Sequence, residues 1–226
     1  MITDEHIESY INSLAPDIPK ELDNLEQWAL DNKVPIIRRS MQSLLSFLIK
    51  THKPKNILEI GTAIGFSALF MEHCSQEDCR ITTIEKVEMR LVNARKNLAG
   101  HSRISLCEGD AEDILNKFSN DHTKRYDFIF LDAAKGQYLK YLEYIRKILI
   151  KGGMLVTDNV LLEGSIAESK FSIERRNRTI HMRMREYLNE LTHCEDFDTV
   201  ILPVGDGVAV SVYNKIEDTE HHFVTN

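Results

Sequence analysis

Two short stretches carry the most chemistry in this chain of 226 residues. Asp132-Ala-Ala-Lys135 follows the apolar run Tyr126–Leu131, and Asp158-Asn159 follows Gly153–Thr157. Both runs read as buried strands. If the strands are neighbours in one sheet, two carboxylates and an amide oxygen converge on one spot. Three hard oxygen donors with room for water suit Mg²⁺ or a similar ion rather than zinc. Capping of the following helices is the competing use of Asp132 and Asp158. Both acids close strands, however, and Asn159 adds a second oxygen donor directly after Asp158, which favours the metal.

Three earlier strand ends carry a second set. In open α/β sheets ligands bind at the carboxyl ends of the strands. The first strand runs into Glu59-Ile-Gly61-Thr-Ala-Ile-Gly65-Phe-Ser67. Its glycines let the backbone turn sharply and approach a ligand. The spacing is Gly-x-x-x-Gly, not the Gly-x-Gly-x-x-Gly of a dinucleotide site, and the turn has no lysine for a phosphate. The second strand ends in Glu85, which can accept two hydrogen bonds from a ribose diol and repels a 2′-phosphate. The third is followed by Gly109-Asp110-Ala111, where a carboxylate can meet an adenine amino group. In order, these features describe an adenosine pocket with no pyrophosphate grip, which disfavours a nicotinamide oxidoreductase.

The elements that must position these residues are legible as a pattern. Residues 1–52 read as a helical extension: Thr3 caps a helix bearing Ile7, Ile11 and Leu14 on one face, Leu22, Leu25 and Ala29 stripe a second, and Ile37, Met41, Leu44, Leu45 and Leu48 stripe a third. From residue 53 to 215 short apolar strands (Asn56–Ile60, Arg80–Ile84, Arg103–Cys107, Tyr126–Leu131, Gly153–Thr157) alternate with helices. That alternation predicts a doubly wound, mostly parallel α/β sheet with helices on both faces. A helix over about Ile173–Leu191 and two last strands, Thr199–Leu202 and Val208–Tyr213, complete seven strands. The short Pro203–Gly207 link predicts an antiparallel hairpin at the sheet edge. The tail 216–226 is polar and expected to fray. With no repeat and no linker, residues 1–215 read as one domain.

Composition sets the bounds. Lys and Arg number 28 against 35 Asp and Glu, a net charge of −7, with 42% hydrophobic residues. That is the balance of a globular chain, neither disordered nor fibrous. No apolar run approaches the ~18 residues of a membrane span, and the N-terminus lacks the basic start and apolar core of a signal peptide. Four cysteines without a Cys-x-x-Cys pair suit reduced thiols of a cytoplasmic protein. Between residues 170 and 185, Lys170, Arg175, Arg176, Arg178, Arg183 and Arg185 face the single acid Glu174. A basic patch on an acidic chain points to a polyanionic partner or to a solvated helix face.

The stretches 59–65, 132–138 and 157–161 resemble the cation-dependent O-methyltransferases, the group of the catechol and caffeoyl-CoA enzymes. Val34-Pro35-Ile36, the Pro203–Gly207 stretch and the arginine-rich segment resemble one bacterial branch still more, the tRNA 5-hydroxyuridine methyltransferases. The likeness covers about residue 5 to Tyr213. It implies a Rossmann-like methyltransferase fold and methyl transfer from S-adenosyl-L-methionine to a hydroxyl. On the closer branch the acceptor is the 5-hydroxyl of wobble 5-hydroxyuridine, giving 5-methoxyuridine. It implies that Glu59, Gly61 and Ser67 lie along the methionine part of the cofactor, Glu85 at its ribose, Asp110 and Ala111 at its adenine, with Ile37 and Asp132 also touching it. Asp132, Asp158 and Asn159 would bind Mg²⁺ or Mn²⁺, and Lys135 would take the substrate proton. Arg175, Arg176 and Arg178 would contact the tRNA anticodon region, and a homodimer is expected. One departure stands out. The catechol enzymes have a bulky aromatic between the Asp and the Lys, where this chain has Ala133 and Ala134. The alternatives are a small-molecule O-methyltransferase for catechols or phenols and a non-catalytic RNA-binding module.

Overall fold

The computed structural model describes residues 3–214; the expected fraying of 216–226 lies outside them. The order of elements is α1 (Glu5–Ser13), α2 (Lys20–Asp31), α3 (Arg39–His52), β1 (Asn56–Ile60), α4 (Phe66–Cys74), β2 (Arg80–Glu85), α5 (Glu88–Asn97), β3 (Ile104–Glu108), α6 (Ala111–Ser119), β4 (Tyr126–Leu131), α7 (Tyr138–Ile148), β5 (Leu149–Thr157), α8 (Arg178–His193), β6 (Phe197–Leu202) and β7 (Val208–Tyr213). Short 3₁₀ turns lie at Lys135–Gln137, Leu162–Ala167 and Arg175–Asn177. The seven strands form one sheet in the order β3-β2-β1-β4-β5-β7-β6. Only β7 runs antiparallel to its neighbours, β5 and β6. This is a Rossmann-like methyltransferase fold with a C-terminal antiparallel hairpin.

The central strands are apolar throughout because helices cover both faces. On β4, Phe128 and Phe130 join the core under α3 and α4. Ile129 and Leu131 join the opposite core with α7 and α8. Parallel pairing of β1 with β4, and of β4 with β5, brings their carboxyl ends side by side. The chain then steps across the sheet: Asp132 N–H donates to the Ile60 carbonyl (3.1 Å), and Asp158 N–H to that of Leu131 (3.0 Å).

Several boundaries differ from the sequence reading. Asp4, not Thr3, caps α1, its Oδ1 accepting from the N–H groups of His6 and Ile7 (2.9 and 3.2 Å). The Thr3 hydroxyl donates instead to the Pro203 carbonyl (3.1 Å). No residue of α1 is buried, and Ile7, Ile11 and Leu14 are each more than half exposed. β5 starts at Leu149 rather than Gly153, and β6 at Phe197 rather than Thr199. The basic segment is not one helix from Ile173. Glu174 is extended (φ −51°, ψ 135°), so Arg175 and Arg176 sit on a separate 3₁₀ turn and α8 begins at Arg178.

Candidate active site

Three cavities adjoin at the carboxyl edge of the sheet. The first, about 420 Å³, lies over β1 and β2 and is lined by Gly61, Glu85, Gly109, Ala111, Asp132 and Ala133, among others. The second, about 410 Å³, is lined by Pro35, Ile37, Asp132, Lys135, Asp158, Asn159 and Asp206. Asp132 and Pro35 belong to both. The third, about 550 Å³, begins at Lys135 and Asp206 and extends under the Leu162–Asn177 segment to His181.

The first cavity depends on a close backbone approach. Gly61 has φ +102°, and a Cβ there would fall 2.0 Å from the Asp132 carbonyl oxygen. Only glycine allows the β1 turn to lie against the end of β4. Glu85 is fixed by its own neighbourhood. Its Oε1 accepts from the N–H groups of Lys86 and Val87 (2.8 Å each), and Oε2 from that of Ala63 (3.0 Å).

In the second cavity the two carboxylates lie close enough to feel each other. Burial, followed by the charge of Asp132, pushes the Asp158 carboxyl up to about 7. Asp132 is also raised by burial, although Lys135 and Asn159 hold it down. Asn159 has a left-handed backbone (φ +59°), and its Nδ2 donates to Asp132 Oδ1 (3.2 Å). Lys135 Nζ lies 3.6 Å from Asp206 Oδ2.

The structure thus gathers Ile37, Asp132, Lys135, Asp158 and Asn159 around one cavity, and Gly61, Glu85, Ala111 and Asp132 around its neighbour. Glu59 and Ser67 are buried and line neither. The Thr83 hydroxyl donates to Glu59 Oε2, Oε1 has no partner among the described residues, and burial pushes this carboxyl up to about 7. The Asp110 carboxylate caps α6 through Glu112 N–H (2.9 Å) and pairs with Lys86 (3.0 Å), so Ala111 rather than Asp110 faces the cavity. Arg176 pairs with Glu174 (2.7 Å). Arg178 donates to the carbonyl of Ile173 (2.9 Å), and Arg183 to that of Gly136 (2.9 Å).

Sequence reasoning missed two residues here. The Tyr138 hydroxyl, wholly buried, donates to the Ala133 carbonyl and accepts from its N–H (3.2 Å each), bracing the turn that carries Lys135. Asp206 was legible only as part of a hairpin link.

The raised carboxyls predict a pH effect. Folded Asp158 keeps its proton up to about pH 7, whereas an unfolded aspartate has released it by about pH 4. Between those values the folded state binds more protons, so this group's contribution to stability falls as pH rises. Asp158→Asn removes the penalty. It should stabilise the metal-free protein by a few kcal/mol more at pH 8 than at pH 5, on the scale of ~1.4 kcal/mol per pKa unit. Urea midpoints at the two pH values measure this, and an equal effect at both would contradict it.

A family model described as O-methyltransferase matches residues 13–214. The caffeoyl-CoA O-methyltransferase of Stellaria longipes is 32% identical over 176 residues, 73% of this chain and 70% of that protein. The catechol O-methyltransferase of Niastella koreensis is 32% identical over 127 residues, 55% and 58% of the two chains. A crystal structure from Staphylococcus aureus, of a protein provisionally called a caffeoyl-CoA O-methyltransferase, superposes with a TM-score of 0.84 at 33% identity, covering 93% of this chain and 100% of that one. An SAH-bound methyltransferase of Podospora anserina gives a TM-score of 0.80 at 25% identity, covering 93% and 95%. The sheet order, the two adjoining cavities and these matches agree: the chain belongs to the S-adenosylmethionine-dependent O-methyltransferases of the caffeoyl-CoA and catechol type.

Proposed function

We propose that the protein methylates a hydroxyl that neighbours a second oxygen on a flat ring, with a small catechol- or phenol-type molecule as acceptor and a divalent cation as aid. The carrying observation is Asp132, which lines both the cavity over β1 and β2 and the one holding Lys135, Asp158 and Asn159. The relatives of catechol and caffeoyl-CoA type support the acceptor class.

The residues present fit a hard cation. Asp132 and Asp158 are both raised by burial, and the Asp132 charge raises Asp158 further. A divalent ion would supply the missing positive charge. Among the described residues no three His, Cys, Asp or Glu side chains form a metal cluster by themselves. The donor set is therefore Asp132, Asp158 and the Asn159 amide oxygen, with water completing it. Bound there, Mg²⁺ or Mn²⁺ would lower the pKa of a hydroxyl and hold two vicinal oxygens. S-adenosylmethionine would supply an electrophilic methyl group in the neighbouring cavity. Glu85 would accept from its ribose, Ala111 would wall its adenine, and Lys135 would take the proton the acceptor hydroxyl releases.

Losing a charge-assisted hydrogen bond costs about 1.5–3 kcal/mol. Glu85→Ala is therefore expected to weaken S-adenosylhomocysteine binding ~10- to 100-fold by calorimetry. Equal affinity in the two proteins would refute the assignment.

A second reading, methylation of tRNA 5-hydroxyuridine, keeps two structural points in its favour. Ala133 and Ala134 put small side chains between Asp132 and Lys135, and the third cavity extends to Glu174 and Asn177, the residues that flank Arg175 and Arg176. Against it, Arg178 and Arg183 bond protein carbonyls and Arg176 pairs with Glu174. Catechol and hydroxyuridine-containing tRNA, each with labelled S-adenosylmethionine, decide the matter. We expect catechol methylation, unchanged in Arg175→Ala/Arg176→Ala/Arg178→Ala. Labelling of tRNA alone, lost in that triple variant with a salt slope flattened by ~0.7 per phosphate contact, would replace the small-molecule reading.

A further inference from the structure

Asp206 lies in the turn between β6 and β7 and is only 7% exposed. It touches two parts of the site at once. Its carbonyl accepts from Leu161 N–H (2.9 Å), and its Oδ1 accepts from Glu163 N–H. Its Oδ2 faces Lys135 Nζ at 3.6 Å. Next door, the Gly207 carbonyl accepts from Val160 N–H (2.9 Å). A Cβ at Gly207 would sit 2.2 Å from the Leu161 side chain, so the turn presses directly on the segment that follows Asp158 and Asn159.

That segment needs holding. Leu162, Glu163 and Gly164 all have left-handed backbones (φ +50°, +55° and +88°). Two consecutive non-glycine residues in that region are costly and persist only where their surroundings over-determine them. The Asp206 carboxylate supplies the acceptor for the middle residue of the three. The same side chain also stands at the boundary between the Asp158 cavity and the outer one, each of which it lines together with Lys135.

We infer that Asp206 is a positioning residue that ties Lys135 Nζ to the Leu161–Gly164 turn, so that the proton acceptor and the wall of the outer cavity are held as one unit. This rests on the reading of Lys135 as the proton acceptor. Asp206 itself need not touch cofactor or acceptor. One side-chain oxygen is taken by Glu163 N–H and the other faces Lys135 Nζ, which separates its task from that of Asp132 and Asp158.

Asp206→Asn, Asp206→Ala, Lys135→Ala and the double variant Asp206→Asn/Lys135→Ala test it. Hydrogen exchange of residues 160–167, read by mass spectrometry, requires no turnover. Asn keeps the acceptor for Glu163 N–H, so exchange should stay within about threefold, whereas Ala should speed it tenfold or more. Unchanged protection in Asp206→Ala would overturn the clamp. Calorimetric Mn²⁺ affinity should fall less than fivefold in Asp206→Asn; a loss above twentyfold would make Asp206 a metal ligand and overturn the inference. With catechol as the probe acceptor, Asp206→Asn should lower kcat 10- to 100-fold at unchanged KM for S-adenosylmethionine. In the Lys135→Ala background it should cost nothing more. Losses that multiply would show a role independent of Lys135 and overturn the coupling. Absence of catechol turnover in the parent would count against the proposed function alone, since the exchange and Mn²⁺ results stand without it.

Discussion

Chelation by EDTA is expected to bring turnover to background, and added Mg²⁺ or Mn²⁺ to restore it. Asp158→Ala should do the same irreversibly while binding S-adenosylhomocysteine within a few-fold of the parent. The separation follows from where the two carboxylates stand. Asp158 lines the cavity with Lys135 and Asn159 but not the one over β1 and β2, whereas Asp132 lines both. Asp132→Ala should therefore damage cofactor binding and turnover together. A metal that polarises the reacting oxygen contributes several kcal/mol to the barrier, so a loss of ~10³-fold or more is the scale to expect. The metal-free Asp158 carboxyl titrates near 7, and only its charged form binds a cation. Metal affinity should accordingly rise with pH up to about that value and then level off. Full activity in EDTA would end the metal assignment.

The central sheet was legible because its physics is local. Continuous apolar runs mark strands covered on both faces, and β1, β4 and β7 begin and end where those runs do. The residues closing β4 and β5 followed from the same reading, since parallel neighbours must end together. What stayed hidden depends on contacts distant in sequence. Asp206 meets Lys135 and Glu163 across 71 and 43 positions of chain, and nothing in its neighbours' types announces either partner. The partners of the arginine run are as distant: Arg183 reaches the Gly136 carbonyl across 47 positions, a hydrogen bond that orients the guanidinium and leaves its charge in place. α1 shows the opposite failure: its apolar stripe is real, but its stripe residues Ile7, Ile11 and Leu14 are exposed.

Lys135→Ala is expected to lower kcat by ~10²–10⁴ with little change in metal or cofactor affinity, the scale of losing a positioned general base. The side chain is set for this role by its turn. Tyr138 braces Ala133 on one side, and Arg183 donates to the Gly136 carbonyl on the other (2.9 Å). The side chain, 30% exposed, lines both the inner and the outer cavity where they meet. A lysine there has two conceivable jobs: taking a proton, or lending positive charge to a developing phenolate. Lys135→Arg distinguishes them. The guanidinium keeps the charge but cannot be deprotonated in a protein, so it cannot serve as a base. If Lys135 takes the proton, Arg should be nearly as damaging as Ala. If charge alone matters, Arg should recover most of the lost rate, and the base assignment fails. A substrate series sharpens the result. Acceptors whose hydroxyl is already acidic need less help in losing the proton, so the Lys135→Ala defect should shrink as the phenol pKa drops. A defect independent of that pKa would point instead to positioning of the acceptor ring.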